Sequence, residues 1–141
     1  MAALLMVSLA GCGAAGGVRV EGAAPTAIPW SGPAYMVDAR SIPRHAPDVV
    51  DLTETTTLYG LKWKGWGSSR AEATGLVVDF ACVSGCSHGD SPSFPARLVL
   101  TGLVKRQYAA YYRRADLAPV RPPAPDWAVD VGTVRLPVPA A

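Results

Sequence analysis

The feature that most constrains this chain is a pair of period-two stretches around residues 58–86, LYGLKWKGWGSSRAEATGLVVDFACVSGC. In residues 53–63, Thr55, Thr57, Tyr59, Leu61 and Trp63 fall in phase on one face, while Leu58, Gly60, Lys62 and Lys64 occupy the other. Threonine and aromatic side chains suit a pleated surface, and this alternation predicts a strand with one covered and one wetter face. Residues 71–82 repeat the pattern, with Thr74, Leu76, Val78, Phe80 and Cys82 opposite Gly75, Val77, Asp79 and Ala81. Between the two, Gly65-Trp66-Gly67-Ser68-Ser69 predicts a turn or bulge that re-aims Trp66 toward the core. A hairpin-like pair ending at two cysteines is the centre of a small β-domain.

Further strands are predicted on both sides of that pair. Residues 34–37 and 49–52 are short candidates, separated by SIPRHAPD, whose two prolines mark a turn or loop. Residues 94–104, FPARLVLTGLV, read as a strand bent at Gly102. Residues 105–117 support two readings, because Tyr108, Tyr111, Tyr112 and Ala115 share a helix face while Tyr108, Ala110 and Tyr112 alternate; the strand is preferred. Beyond Ala118, APVRPPAPD is a polyproline-type spacer, and residues 127–138 either add one last strand or trail. The fold class expected is mainly β, a small antiparallel β-sandwich or curled sheet. A flexible tether precedes it and a Pro-rich tail follows it. The domain is assigned to residues 33–117 and the tail to 118–141. A core of that size barely offsets chain entropy, so a covalent staple is useful to it.

Charge excludes one class of partner. The formal net charge is +2 and the Lys and Arg residues stand as singles or pairs, without the basic stripe that neutralising a phosphate backbone needs. No nucleic acid is expected. Ten arginines against three lysines, and no asparagine, are the bias of a GC-rich genome.

The N-terminal residues MAALLMVSLAGC form an apolar run ending in Leu9-Ala10-Gly11-Cys12, which resembles the lipobox of bacterial lipoproteins. The resemblance implies a signal peptide over residues 1–11, cleavage before Cys12 and a diacylglyceryl group on its thiol. As a helix the run is about 15 Å long against a hydrocarbon core of about 30 Å, so it is a processing signal and not a membrane span. It departs from such signals in lacking an initial Lys or Arg and in being short, which places the expected natural start upstream. Two acyl chains anchor stably where one is marginal. Residues 12–32, rich in Gly, Ala and Pro, then read as an acylated cysteine and a flexible tether with an r.m.s. reach near 25 Å. Trp30 is expected to pack at the domain edge. The location implied is the extracytoplasmic face of the cell membrane, with the membrane as partner through Cys12 and a cell-envelope component as a further one.

With Cys12 taken by lipid, Cys82 and Cys86 remain as a pair separated by Val-Ser-Gly. In an exported protein their default is a disulfide, which for so short a loop contributes only about 2 kcal/mol and acts as a local clamp. The alternative is an extracytoplasmic copper, zinc or thiol-redox site. His88 and Asp90 follow at once to give C-x3-C-x-H-x-D, and thiolates with imidazole suit those metals. The C-x3-C spacing is similar to that of exported copper chaperones and of the dinuclear copper site of terminal oxidases. Ser87 stands where the chaperones have proline, however, and His88 lies two residues after Cys86 where the oxidase site has four. No cofactor is therefore expected.

Catalytic signatures are thin. The turn at residues 65–69 does not fit G-x-S-x-G, His45 and His88 stand in loops without a placed partner, and no pair among the eleven acids stands out. An enzyme is not the expectation, and His45 is read as solvated. The tyrosines flanked by Arg106, Arg113 and Arg114 suit either an anionic polymer or a sheet surface with arginine stems across aromatic rings, the second being commoner.

Together, Trp63-Lys64-Gly65-Trp66-Gly67, Ala71-Glu72-Ala73-Thr74-Gly75, Cys82-x3-Cys86 and the Tyr-Tyr-Arg stretch resemble a family of small secreted proteins and lipoproteins of actinobacteria. That family carries a W-x-x-W-G turn, an A-x-A-T-G strand start and a cysteine pair three apart; its further cysteine before the tyrosines is missing here. The resemblance covers about residues 58–114 and implies compartment and architecture but no activity. The function expected is a membrane-anchored surface binding or structural module.

Overall fold

The computed structural model describes residues 30–79 and 92–141. Its strands are β1 (Ala34–Val37), β2 (Pro43–Arg44), β3 (Val49–Asp51), β4 (Thr57–Lys64), β5 (Arg70–Val78), β6 (Ser93–Lys105), β7 (Ala110–Pro119) and β8 (Gly132–Arg135). They form one sheet in the order β2-β1-β7-β6-β5-β4-β3, with β8 also on β7. All pairings are antiparallel except that of β1 with β7, where Ala34 and Tyr35 lie beside Ala110 and Tyr111. β1 and β8 therefore share one edge of β7, β1 at residues 110–111 and β8 at residues 114–117. The mainly β, curled-sheet expectation holds.

The sheet curls because its two outermost strands, β2 and β3, are joined by only four residues. The curl brings Ala39 N–H to the Asp51 carbonyl at 2.9 Å, but no ladder closes the circle. Tight curvature crowds the concave side, and small interior residues relieve that crowding. Ala34, Ala71, Ala73, Ala96, Ala110 and Ala115 are all buried there, interleaved with Met36, Leu58, Leu98, Leu100, Tyr112 and Leu117.

The hairpin of β4 and β5 forms as the alternation predicts, but the phase changes part-way. Pairing runs from Thr57 opposite Val78 to Tyr59 opposite Leu76, then resumes one residue out of step at Lys62 opposite Thr74. Gly60, at φ 65°, makes the bulge, and only glycine enters that left-handed region without penalty. Consequently Leu58 and Leu61 both face the core while Tyr59, grouped with Leu61 by period two, is exposed beside Leu76. The strand also begins at Thr57, not at residue 53, because residues 53–56 turn back on themselves. Opposite the bulge, a Cβ on Gly75 would lie 2.6 Å from the Tyr59 carbonyl oxygen and 2.9 Å from Leu61 Cδ2, so β5 approaches too closely there for a side chain.

The tryptophan turn is pinned from across the sheet. The Tyr112 hydroxyl, on β7, donates to Ser68 O and accepts from Gly67 N–H, both at 2.8 Å. Trp66 packs edge-on against Tyr112 and Trp63, at ring-centroid distances of 5.4 and 4.8 Å, as its expected turn toward the core requires. Each indole N–H is satisfied, Trp66 by Ala34 O at 3.0 Å and Trp63 by Pro47 O at 2.6 Å. Trp30 packs at the domain edge, its N–H on Pro33 O, and Pro33 O also receives Ala110 N–H.

Residues 105–117 resolve as a turn and β7. Within SIPRHAPD, Pro43 and Arg44 pair as β2 with Val37 and Met36. That hairpin is organised by Asp38, whose fully buried carboxylate accepts Arg40 N–H, Ile42 N–H and Arg44 Nε–H at 2.8–2.9 Å. Burial alone would raise its pKa, but these donors and the Arg44 charge outweigh it and hold Asp38 below the usual carboxylate value. After Pro119 the chain crosses back over the end of the sheet, Trp127 packing on Phe94, before β8 and the buried Leu136 return along β7.

Candidate binding cleft

Where that returning segment crosses β4 and β5, it leaves a cleft of about 430 Å³. Its floor is apolar, built from Val77, Phe94, Leu117 and Trp127, with the Phe94 and Trp127 rings edge-to-face at 5.3 Å. One wall is residues 54–57 and the other residues 128–131. The size lies within the range of small-molecule pockets, about 300–1,000 Å³.

The walls are tied together by Asp130. Its Oδ2 accepts hydroxyl hydrogen bonds from Thr53 at 2.6 Å, Thr56 at 2.6 Å and Thr55 at 2.9 Å. Thr53 Oγ1 in turn accepts the N–H groups of Thr55 and Thr56, so its own turn sets the three donors. Partial burial works to raise the Asp130 pKa, but the hydroxyls from Thr53, Thr56 and Thr55 outweigh it and hold the carboxyl below the ordinary value. The group is ionised at neutral pH. Val129 and Val131 are exposed on the lip.

Two other recesses are weaker candidates. A more open one lies between Ala39, Asp51 and Tyr59, but its Arg40 and Asp51 neutralise each other at 2.8 Å. The third lies at the turn between β6 and β7 beside the highly exposed Tyr108.

Cys12 lies outside the described residues, as do Cys82, Cys86, His88 and Asp90. The connection that carries the last four leaves the sheet at Asp79, which lines the cleft, and returns at Pro92, whose carbonyl accepts Asp79 N–H at 2.9 Å. His45 is exposed, its Nδ1 3.0 Å from Ala34 O and its ring against Tyr35 and Trp66. Among the described residues no three His, Cys, Asp or Glu side chains gather as a metal site, and no helix is long and apolar enough to cross a membrane. The tyrosine and arginine cluster is divided by the fold: Tyr112 is core, Tyr111 stacks on Tyr35, and Arg114 pairs with Asp116 at 3.2 Å. Sequence reasoning missed Asp130 and Trp127 as site residues. The run Thr53-Glu54-Thr55-Thr56-Thr57 carried the available signal, a cluster of turn hydroxyls, but their acceptor lies 74–77 residues away. No protein-family model, curated protein or solved structure matches the chain.

Proposed function

We propose that the chain is an extracytoplasmic lipoprotein, acylated at Cys12 and belonging with the small actinobacterial lipoproteins it resembles, whose curled sheet is a binding module. The observation that carries the binding part is the cleft. An apolar floor with two aromatic rings, a wall carrying an ionised carboxylate and a volume suited to a small ligand are the features of a recognition site. The anchoring part is supported by Leu9-Ala10-Gly11-Cys12 and by the Gly, Ala and Pro-rich stretch before the first described residue. In that compartment Cys82 and Cys86 form a disulfide that clamps the connection between β5 and β6.

Intact-mass spectrometry of the protein from its native membrane tests the anchor. It will find cleavage before Cys12, a diacylglyceryl mass on it and the mass deficit of one disulfide. An unacylated product that keeps residues 1–11 rejects the anchor, and free alkylation of Cys82 and Cys86 without reductant rejects the clamp. For the cleft, an NMR screen with small soluble fragments will concentrate shifts at Phe94, Leu117, Trp127 and Val131. Shifts scattered over the surface would reject it.

A further inference from the structure

We infer that the cleft selects an organic cation: a protonated amine or guanidinium carried on an apolar body. The inference rests on the cleft being the binding site and goes on to name the class of ligand. It follows first from charge. Among the described lining residues are Glu54 and Asp130 and no Lys, Arg or His, in a chain whose thirteen Lys and Arg outnumber its eleven acids.

It follows, second, from how Asp130 is held. Four carboxylates of the domain meet arginine: Asp38 with Arg44, Asp51 with Arg40, Glu72 with Arg97 and Asp116 with Arg114. Asp130 is held by three neutral hydroxyls, all on Oδ2. Hydroxyls fix a carboxylate and keep it ionised without cancelling its charge, so a negative potential is left on the partly buried wall of the cleft. Third, the floor suits the rest of such a ligand. Trp127 and Phe94 offer aromatic surface, to which a cation is attracted as well as an alkyl or aryl body. A neutral apolar ligand would take water from the carboxylate without supplying a counter-charge, and an anion would be repelled.

The test is an NMR titration of the full chain at neutral pH and low salt with three probes of one shape: 2-phenylethylamine, 2-phenylethanol and phenylacetate. The amine is expected to shift the Trp127 indole and Val131 resonances and to bind about tenfold more tightly than the alcohol. Phenylacetate is expected not to bind. In Asp130→Asn, which keeps an acceptor for the threonines, the advantage of the amine should shrink to about twofold or less; should that variant fail to fold, about 0.5 M salt must shrink it in the unaltered chain. Equal binding of amine and alcohol in the cleft would overturn the inference and leave the binding site standing. If no probe shifts cleft resonances at tens of millimolar, both fall. A preference for the amine that survives both Asp130→Asn and salt overturns Asp130 as its source.

Discussion

Gly75→Ala isolates one steric contact in the hairpin on which the fold is centred. Gly75 has ordinary strand backbone, so the added methyl costs no left-handed strain, and whatever it costs comes from its neighbours. Those are the Tyr59 carbonyl oxygen at 2.6 Å and Leu61 Cδ2 at 2.9 Å, both well inside the 3.4 Å at which ordinary contact begins. The leucine methyl can rotate away. The carbonyl cannot, because Tyr59 precedes the bulge at Gly60 and is held in register by Leu76 and Val49. Forcing strands apart by most of an ångström falls in the overpacking range, about 1–3 kcal/mol, and the entropy gained by replacing glycine in the unfolded chain returns about 0.4–1 kcal/mol. The net loss is about 1–2 kcal/mol, or roughly 4–16 °C in Tm for a domain near this size. Differential scanning calorimetry measures it, with Thr74→Ala as an exposed control on the same strand. A Gly75→Ala protein as stable as the original would refute the close approach as a constraint and with it the reason for glycine there.

Tyr112→Phe removes the hydroxyl that joins β7 to the tryptophan turn and leaves Gly67 N–H and Ser68 O short of a partner; urea unfolding should show a loss of about 1–3 kcal/mol, with altered Trp66 fluorescence. Because the folded pKa of Asp38 is lowered, its contribution is fully present above the unfolded value near 3.8 and is lost as pH falls through the folded value. Stability should therefore decline below about pH 4, and Asp38→Asn should be less stable at neutral pH with a flatter acid limb in a Tm-against-pH series. Gly60→Ala, which meets open space but must hold φ 65°, should cost about 1 kcal/mol through backbone strain alone, measurable by the same calorimetry.

The strands with clean alternation were legible, and the places where legibility failed have local causes. Period two groups Tyr59 with Leu61, but the left-handed Gly60 inserts a residue between them, and no periodicity carries that information. The helix-or-strand ambiguity of residues 105–117 has the same kind of origin. Tyr112 and Ala115 both face the core at helical spacing because Arg113 and Arg114 are both exposed, opposite a Gly102 at φ 70°. A change of phase in a strand thus imitates one turn of helix. The cleft was illegible for a different reason: Asp130 and the threonines that hold it are joined only by the fold, and Trp127 gains its meaning from Phe94.

The ends of β7 set where this cleft stands relative to an anchor. The chain from Cys12 joins the domain at Pro33, beside Ala110, whereas the cleft floor is reached at Leu117, seven residues along the same strand and about 23 Å away. Acylated at Cys12, the domain would hang from one pole of its barrel-like roll and open its cleft at the other. The ligand would then be met at the pole turned away from the lipid.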